Sequence, residues 1–368
     1  MPNRSESHSM RSSPTRKAFL SICSLFILLA CQVSSAPGLT FVMPSASPTL
    51  TLTQTATATL TPSLTATATL TLTATQTETP TPMLTPTSAP AARRVVIVSI
   101  DGLRPDAILP APMTNLITLM QSGAFSLGAQ TVFPSVTLVA HSSMLGGVCP
   151  SKHGVLWNEY LPERGYARGI DLFDLAHGAG LETIMYVGKE KMRQITEPSS
   201  LDKFIYIDDS DTALMGSVVA NFPQDFGVLF IHLLATDLAG HDAGWMSPYQ
   251  FSIIRQADAA LGILLAELDA RNLRGETLII VTSDHGGLGG GHGTDARENM
   301  TIPWIAAGPG IQPKTLMTRI HTMDTAATAA FVLGLPIPAD WDGVPVYEAF
   351  GLPVERQSAD CPTEVLAP

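Results

Sequence analysis

Charge is scarce in this chain: only 14% of its 368 residues are Asp, Glu, Lys or Arg, while 45% are hydrophobic. What charge exists leans acidic, with 21 Lys and Arg against 32 Asp and Glu and a formal net charge of −11. That shortage of cations argues against a surface that tracks a nucleic-acid backbone. A small phosphorylated substrate stays open, because metal ions can supply local positive charge inside an acidic protein. Cysteine is rarer still: Cys23, Cys31, Cys149 and Cys361 are the only four, with no CxxC pair among them. Zinc-finger and thioredoxin-type chemistry are therefore unsupported. The apolar run from Ala18 to Ala30 has thirteen residues, short of the roughly 20 that a spanning helix needs.

That run does suit the core of a secretory signal peptide, since Arg11, Arg16 and Lys17 precede it. Leu28-Leu29-Ala30-Cys31 resembles the lipobox of bacterial lipoproteins, in which cleavage leaves a lipid-modified cysteine at the new N-terminus. Residues 1–30 are expected to be a lipoprotein-type signal peptide. Cys31 is the expected lipidation site, and the protein is expected to be extracytoplasmic and lipid-anchored to the bacterial cell membrane. The competing expectation is ordinary cleavage near Ser35-Ala36, with Cys31 discarded.

From residue 31 to 92 the composition shifts to Thr, Pro, Ala, Ser and Leu, and TATATL occurs at 55–60 and again at 65–70. Scattered prolines and the lack of a mixed apolar pattern deny this stretch a core, so it reads as a low-complexity tether. Residues 93–368 are expected to form the catalytic domain.

Within them, strands alternate with helices. Val95 to Ile100, Glu182 to Val187, Phe204 to Ile207, Gly227 to Leu234, Leu278 to Val281 and Ile302 to Ala306 are β-branched or apolar runs that predict strands. Helices are predicted over 112–122, from Thr137, over 172–177, over 248–272 and over 324–333. The alternation predicts an α/β fold with a mainly parallel central sheet and helices on both faces.

Three predicted strands run into carboxylates, Asp101, Asp237 and Asp284. In a parallel sheet such ends share one edge, where ligands collect. With His241, His285 and His292 they make six candidate ligands, enough for two divalent ions. A pair of metals can clamp the entering and leaving oxygens of an in-line phosphoryl displacement.

Five stretches, VVIVSIDGLRPD, FPSVTLVAHSSMLGGVCPSKHGVLWN, TDLAGHDAG, SDHGG and HGTDARENMTIPWIAAGPGI, together resemble the alkaline phosphatase superfamily. Within it they are most similar to type I phosphodiesterases and nucleotide pyrophosphatases. The resemblance implies an alkaline-phosphatase-like fold and two zinc ions. Asp101, Asp284 and His285 would hold one together with Thr137, and Asp237, His241 and His292 the other. It further implies Thr137 as nucleophile and Asn158 as hydrogen-bond donor to a non-bridging phosphate oxygen. His141, His153 and His232 read as structural, and His321 as a rival to His292.

Only six residues separate His285 from His292, where nucleotide pyrophosphatases carry a long insertion, so nucleotide selectivity does not follow from the resemblance. Cys149-Pro150-Ser151-Lys152 lacks the sulfatase C/S-x-P-x-R pattern. Lys189, Lys191 and Arg193 look like the Lys-x-Arg element of some threonine-dependent alkaline phosphatases. They are candidate substrate-binding residues, and a phosphomonoesterase is the alternative to the diesterase. An alternative of another class is a surface-binding lipoprotein without turnover. A Cys149–Cys361 disulfide is left open.

Overall fold

The computed structural model describes residues 92–363, and the predicted signal peptide, Cys31 and nearly all of the tether lie outside the described residues. Eight strands form one sheet in the order β4-β3-β5-β1-β6-β7-β2-β8. They are β1 (Arg94–Ile100), β2 (Ala124–Gln130), β3 (Glu182–Val187), β4 (Lys203–Tyr206), β5 (Phe226–Leu233), β6 (Thr277–Thr282), β7 (Thr301–Ala307) and β8 (Lys314–Thr315). β4, β3, β5, β1 and β6 pair in parallel, and β7 runs against both of its neighbours, β6 and β2.

The alternation of side chains across a strand splits the core in two. Val95 and Ile97 point into one buried cluster with Leu138, Met144, Leu172, Phe173 and Ala326. Val96, Val98 and Ile100 point into the other, with Leu116, Leu214, Ile254, Leu261 and Leu264. The first face is covered by α2 (Thr137–Gly146), α4 (Leu172–Gly178) and α9 (Asp324–Val332), and the second by α1 (Thr114–Ser122), α5 (Asp211–Ala220) and α7 (Pro248–Ala270). The described residues also include α3 (Pro150–His153), α6 (Ala235–Ala243) and α8 (Arg297–Met300). The predicted α/β architecture is therefore observed, with both faces of the sheet covered as a largely parallel sheet requires.

Cys149 and Cys361 form a disulfide across 212 residues. Cys361 packs against the small cluster of Val132, Val136, Val139 and Ala140, which ties the C-terminal segment to the start of α2. Among the described residues no helix is long and apolar enough to cross a membrane.

Candidate active site

β1, β5 and β6 end together because they are parallel neighbours. Asp101 directly follows β1, and Ser283, Asp284 and His285 follow β6. Asp237 corrects the expectation that it ends a strand: β5 stops at Leu233, and Asp237 stands in the first turn of α6. A helix rather than a strand is what places His241 on the same face, four residues on. The two segments can approach because residue 102 is glycine. Gly102 has φ +73°, and a Cβ there would lie 3.1 Å from the Asp237 Cα.

Two groups of potential ligands result, Asp101–Asp284–His285 and Asp237–His241–His292, with the ligand atoms of each within 4.8 Å of one another. His292 rather than His321 completes the second group. His321 is engaged elsewhere, by Ser358 at 2.9 Å and Asp360 at 2.9 Å.

Each of the three histidines has Nδ1 near a backbone carbonyl: His241 to Gly290 at 3.0 Å, His285 to Gly286 at 2.8 Å and His292 to Ser135 at 2.9 Å. Donating there places the proton on Nδ1 and leaves the Nε2 lone pair facing the carboxylates. Burial and the charge of His285 push the His292 imidazole down to about 4, so that lone pair is free near neutrality.

Four atoms of this buried cluster, Asp101 Oδ1, Asp237 Oδ1, Asp284 Oδ2 and His285 Nε2, have no hydrogen-bond partner. Buried acceptors without a partner call for a counter-charge. Burial, joined by the negative charge of Asp101, lifts the Asp284 carboxyl to about 6. A donor set of carboxylate oxygens and neutral imidazoles suits a divalent ion of the zinc type. The residues fit such metals.

Lys189 lies where the two groups meet. Its Nζ is 2.7 Å from Asp101 Oδ2 and 2.6 Å from Asp237 Oδ2, and it also donates to Thr137 Oγ1 at 3.3 Å. One ammonium thus touches a carboxylate from each group and the candidate nucleophile. Burial would raise the Asp101 carboxyl, yet Lys189 and the hydrogen bond from His232 hold it well below its usual range.

Thr137 is buried and is the first residue of α2; the N-cap is Val136, which carries no capping side chain. The cap comes from elsewhere: Leu138 N donates to Asn158 Oδ1 at 2.9 Å. Lys191 Nζ donates to the same oxygen at 2.9 Å and to the Asn158 backbone carbonyl at 3.0 Å. Burial and the neighbouring Lys189 push the Lys191 amine down to about 8. Arg193 is not brought to the site. Its guanidinium lies 4.2 Å above the Phe204 ring and 3.9 Å from Glu190.

His141, one turn after Thr137, faces the Thr137 carbonyl at 2.7 Å and Ser99 Oγ at 2.8 Å. Those contacts engage both ring nitrogens, so the structural reading of His141 fits. His153 is likewise held by Ser143 Oγ and Val155 N. His232 has a larger part than a core histidine. Gly188 N approaches its Nδ1, and its Nε2 lies 2.8 Å from Asp101 Oδ2, where it donates to a candidate ligand. Trp245 was not singled out by sequence either. It donates to the Gly102 carbonyl at 2.9 Å, and a Cβ on Gly287 would lie 2.1 Å from its ring. The indole therefore buttresses both ligand-bearing loops.

Comparison with known proteins points the same way. The model of the type I phosphodiesterase / nucleotide pyrophosphatase family matches residues 95–172 and 186–290, and the sulfatase model matches 247–335. Human GPI ethanolamine phosphate transferase 2, catalytic subunit, is 27% identical over 293 residues, covering 73% of this chain and 29% of its own. Human ectonucleotide pyrophosphatase/phosphodiesterase family member 5 is 24% identical over 220 residues, covering 54% and 45%. The chain thus spans less than half the length of these relatives. Among solved structures, an inactive variant of murine ectonucleotide pyrophosphatase/phosphodiesterase 5 in complex with AMP superposes with a TM-score of 0.58 at 16% identity, covering 68% of this chain and 97% of that one. A phosphonate monoester hydrolase of Agrobacterium radiobacter gives 0.58 at 13% identity, covering 72% and 78%. At such identities these structures establish the fold.

Proposed function

The chain belongs to the type I phosphodiesterase/nucleotide pyrophosphatase family of the alkaline phosphatase superfamily, and from that premise we propose that it is a two-metal phosphoric ester hydrolase with Thr137 as nucleophile. Its substrate class is a phosphodiester or pyrophosphate. The observation that carries this reading is the reach of Lys189, whose single Nζ contacts Thr137 Oγ1 and one carboxylate from each ligand group. A hydroxyl that shares one ammonium with both groups supports the reading of Thr137 as the attacking group.

Asp101, Asp284 and His285 would hold one divalent ion, zinc by the donor set, and Asp237, His241 and His292 a second. When bound, such ions lower the pKa of a neighbouring hydroxyl and offset charge on the entering and leaving oxygens. Thr137 Oγ forms the new P–O bond as the ester P–O bond breaks, giving a phosphothreonine and a released alcohol or phosphate. Water then cleaves the phosphothreonine and restores the hydroxyl. Asn158 presents its amide Nδ2 to a non-bridging oxygen, and Lys189 offers a cation beside the nucleophile. His232 holds Asp101 in orientation throughout.

A second reading, a phosphomonoesterase, is favoured by Lys189, because a dianion gains more from an ammonium beside the nucleophile than a monoanion does. Turnover of a bis-aryl phosphate against the matching mono-aryl phosphate by zinc-loaded protein separates the two. The first reading predicts higher kcat/KM for the diester; a large monoester preference overturns it. Thr137→Ala is expected to lose at least about 1,000-fold in kcat while still binding metal. No turnover of either ester by the unaltered protein would favour the surface-binding alternative.

We place the protein outside the cytoplasm, anchored through Cys31. The Cys149–Cys361 disulfide supports an oxidising compartment. Mass spectrometry of the mature N-terminus checks the anchor, and an unmodified start near Ala36 would refute it.

A further inference from the structure

The turn after β3, Glu190–Gln194, grips the loop that carries Asn158 from two sides. Gln194 is buried, and its amide pairs with Leu161 N and O at 2.7 Å each, with Gly165 O at 2.7 Å and with Trp157 Nε1 at 3.3 Å. Ala167 N also donates to the Gln194 carbonyl at 2.8 Å. At the other end of the turn, Lys191 spends two of its three donors on Asn158, one on the backbone carbonyl and one on Oδ1. No carboxylate lies within salt-bridge distance of Lys191 among the described residues.

An amide can be flipped by half a turn at little cost unless its neighbours distinguish oxygen from nitrogen. Here both neighbours of the oxygen are obligatory donors, the Leu138 N–H and the Lys191 ammonium. A flipped Asn158 would set its NH2 against two donors and leave the first turn of α2 uncapped. We propose that Lys191 is a positioning residue: it locks the Asn158 carboxamide so that Nδ2 alone faces the phosphoryl group, and it acts through Asn158 rather than on the substrate. This rests on the reading of the site given above, and assigns Lys191 a different task from Lys189, which reaches Thr137 itself.

The test is a double-mutant cycle on zinc-loaded protein with Lys191→Met, Asn158→Ala and the double variant, read both by turnover of the preferred aryl phosphate and by binding of inorganic phosphate in calorimetry. Losing a charged hydrogen bond that fixes the amide predicts a fall in kcat of about 10- to 100-fold for Lys191→Met, with KM nearly unchanged. In the Asn158→Ala background the same change should cost less than about twofold in kcat and in phosphate affinity. Lys191→Arg, which keeps a cationic donor, should recover most of the loss. Additive losses would put Lys191 on the substrate and overturn the inference, as would full activity of Lys191→Met. Unchanged turnover in Asn158→Ala alone would instead sink the assignment of Asn158, and the inference with it. A melting temperature or zinc content that falls in Lys191→Met in step with activity would show a merely structural role and also overturn the inference.

Discussion

Replacing Lys189 by Met should destabilise the protein in a way that depends on metal. The Asp101 side chain is wholly buried and that of Asp237 is 3% exposed, and both lean on this one ammonium at 2.7 and 2.6 Å. Burial alone would lower the Lys189 amine, but the two carboxylates outweigh it and push the amine up. Removing one partner of a buried pair costs roughly 3–5 kcal/mol, because the remaining charge is stranded without water. Met keeps the length and apolar stem of Lys, so the loss is mainly electrostatic. In chelator-treated protein the variant should therefore melt on the order of 10 °C lower than the unaltered chain. In zinc-loaded protein the same carboxylates are neutralised by other cations, and most of the difference should vanish. Thermal melts by circular dichroism, with chelator and with zinc, give the four numbers needed. An equal drop in both conditions, or none with chelator, would refute the idea that Lys189 and metal ions neutralise the same carboxylates.

Asp171 caps α4, accepting from Phe173 N and Asp174 N, and burial followed by the charge of Asp174 raises its carboxyl to about 7. Because the folded state binds this proton more tightly than the unfolded one, the stabilisation is present in full at low pH and is lost as pH rises through about 7. Asp171→Asn retains the acceptor and removes the buried charge. In urea titrations it should match the parent near pH 4 and exceed it at pH 8 by at most about 4 kcal/mol; a variant less stable at pH 8 would contradict the assignment. Cys361→Ser should cost up to about 5 kcal/mol, the chain-entropy value for so long a loop. It should also expose residues 352–363 to limited proteolysis, and unchanged stability with an uncut C-terminal segment would count against the cross-link.

The strands on both sides of the site were legible because their residues are apolar on both faces, which is what a doubly covered parallel strand requires. β2 was not. Its side chains alternate poorly between buried and exposed, and a register shift between Ser126 and Ala129 breaks the pattern. The reversal of β7 was hidden for a different reason. Between His285 and Thr301 the chain forms a glycine turn and a helix of only four residues. A parallel return needs a crossover that traverses the sheet, usually on a longer helix, so the strand comes back antiparallel.

At the site, the candidate metal ligands were readable because few side chains can hold a metal ion and the fold gathers those of this chain into two close groups. The residues that orient them were not, since orientation is a property of tertiary contacts. His232 looked like a core histidine in the middle of an apolar run, yet β1 and β5 pair with Ser99 beside His232 and Ile100 beside Leu233. With that register known, a histidine on β5 must reach the carboxylate that follows β1, and at 2.8 Å it does. The resemblance implies Asn158 only as a phosphate contact, yet it is also the remote cap of α2, joined to Leu138 across 20 residues. The start of α2 explains why: its N-cap falls on Val136, which has no side chain able to cap, so the acceptor for its first turn is supplied from elsewhere in the fold.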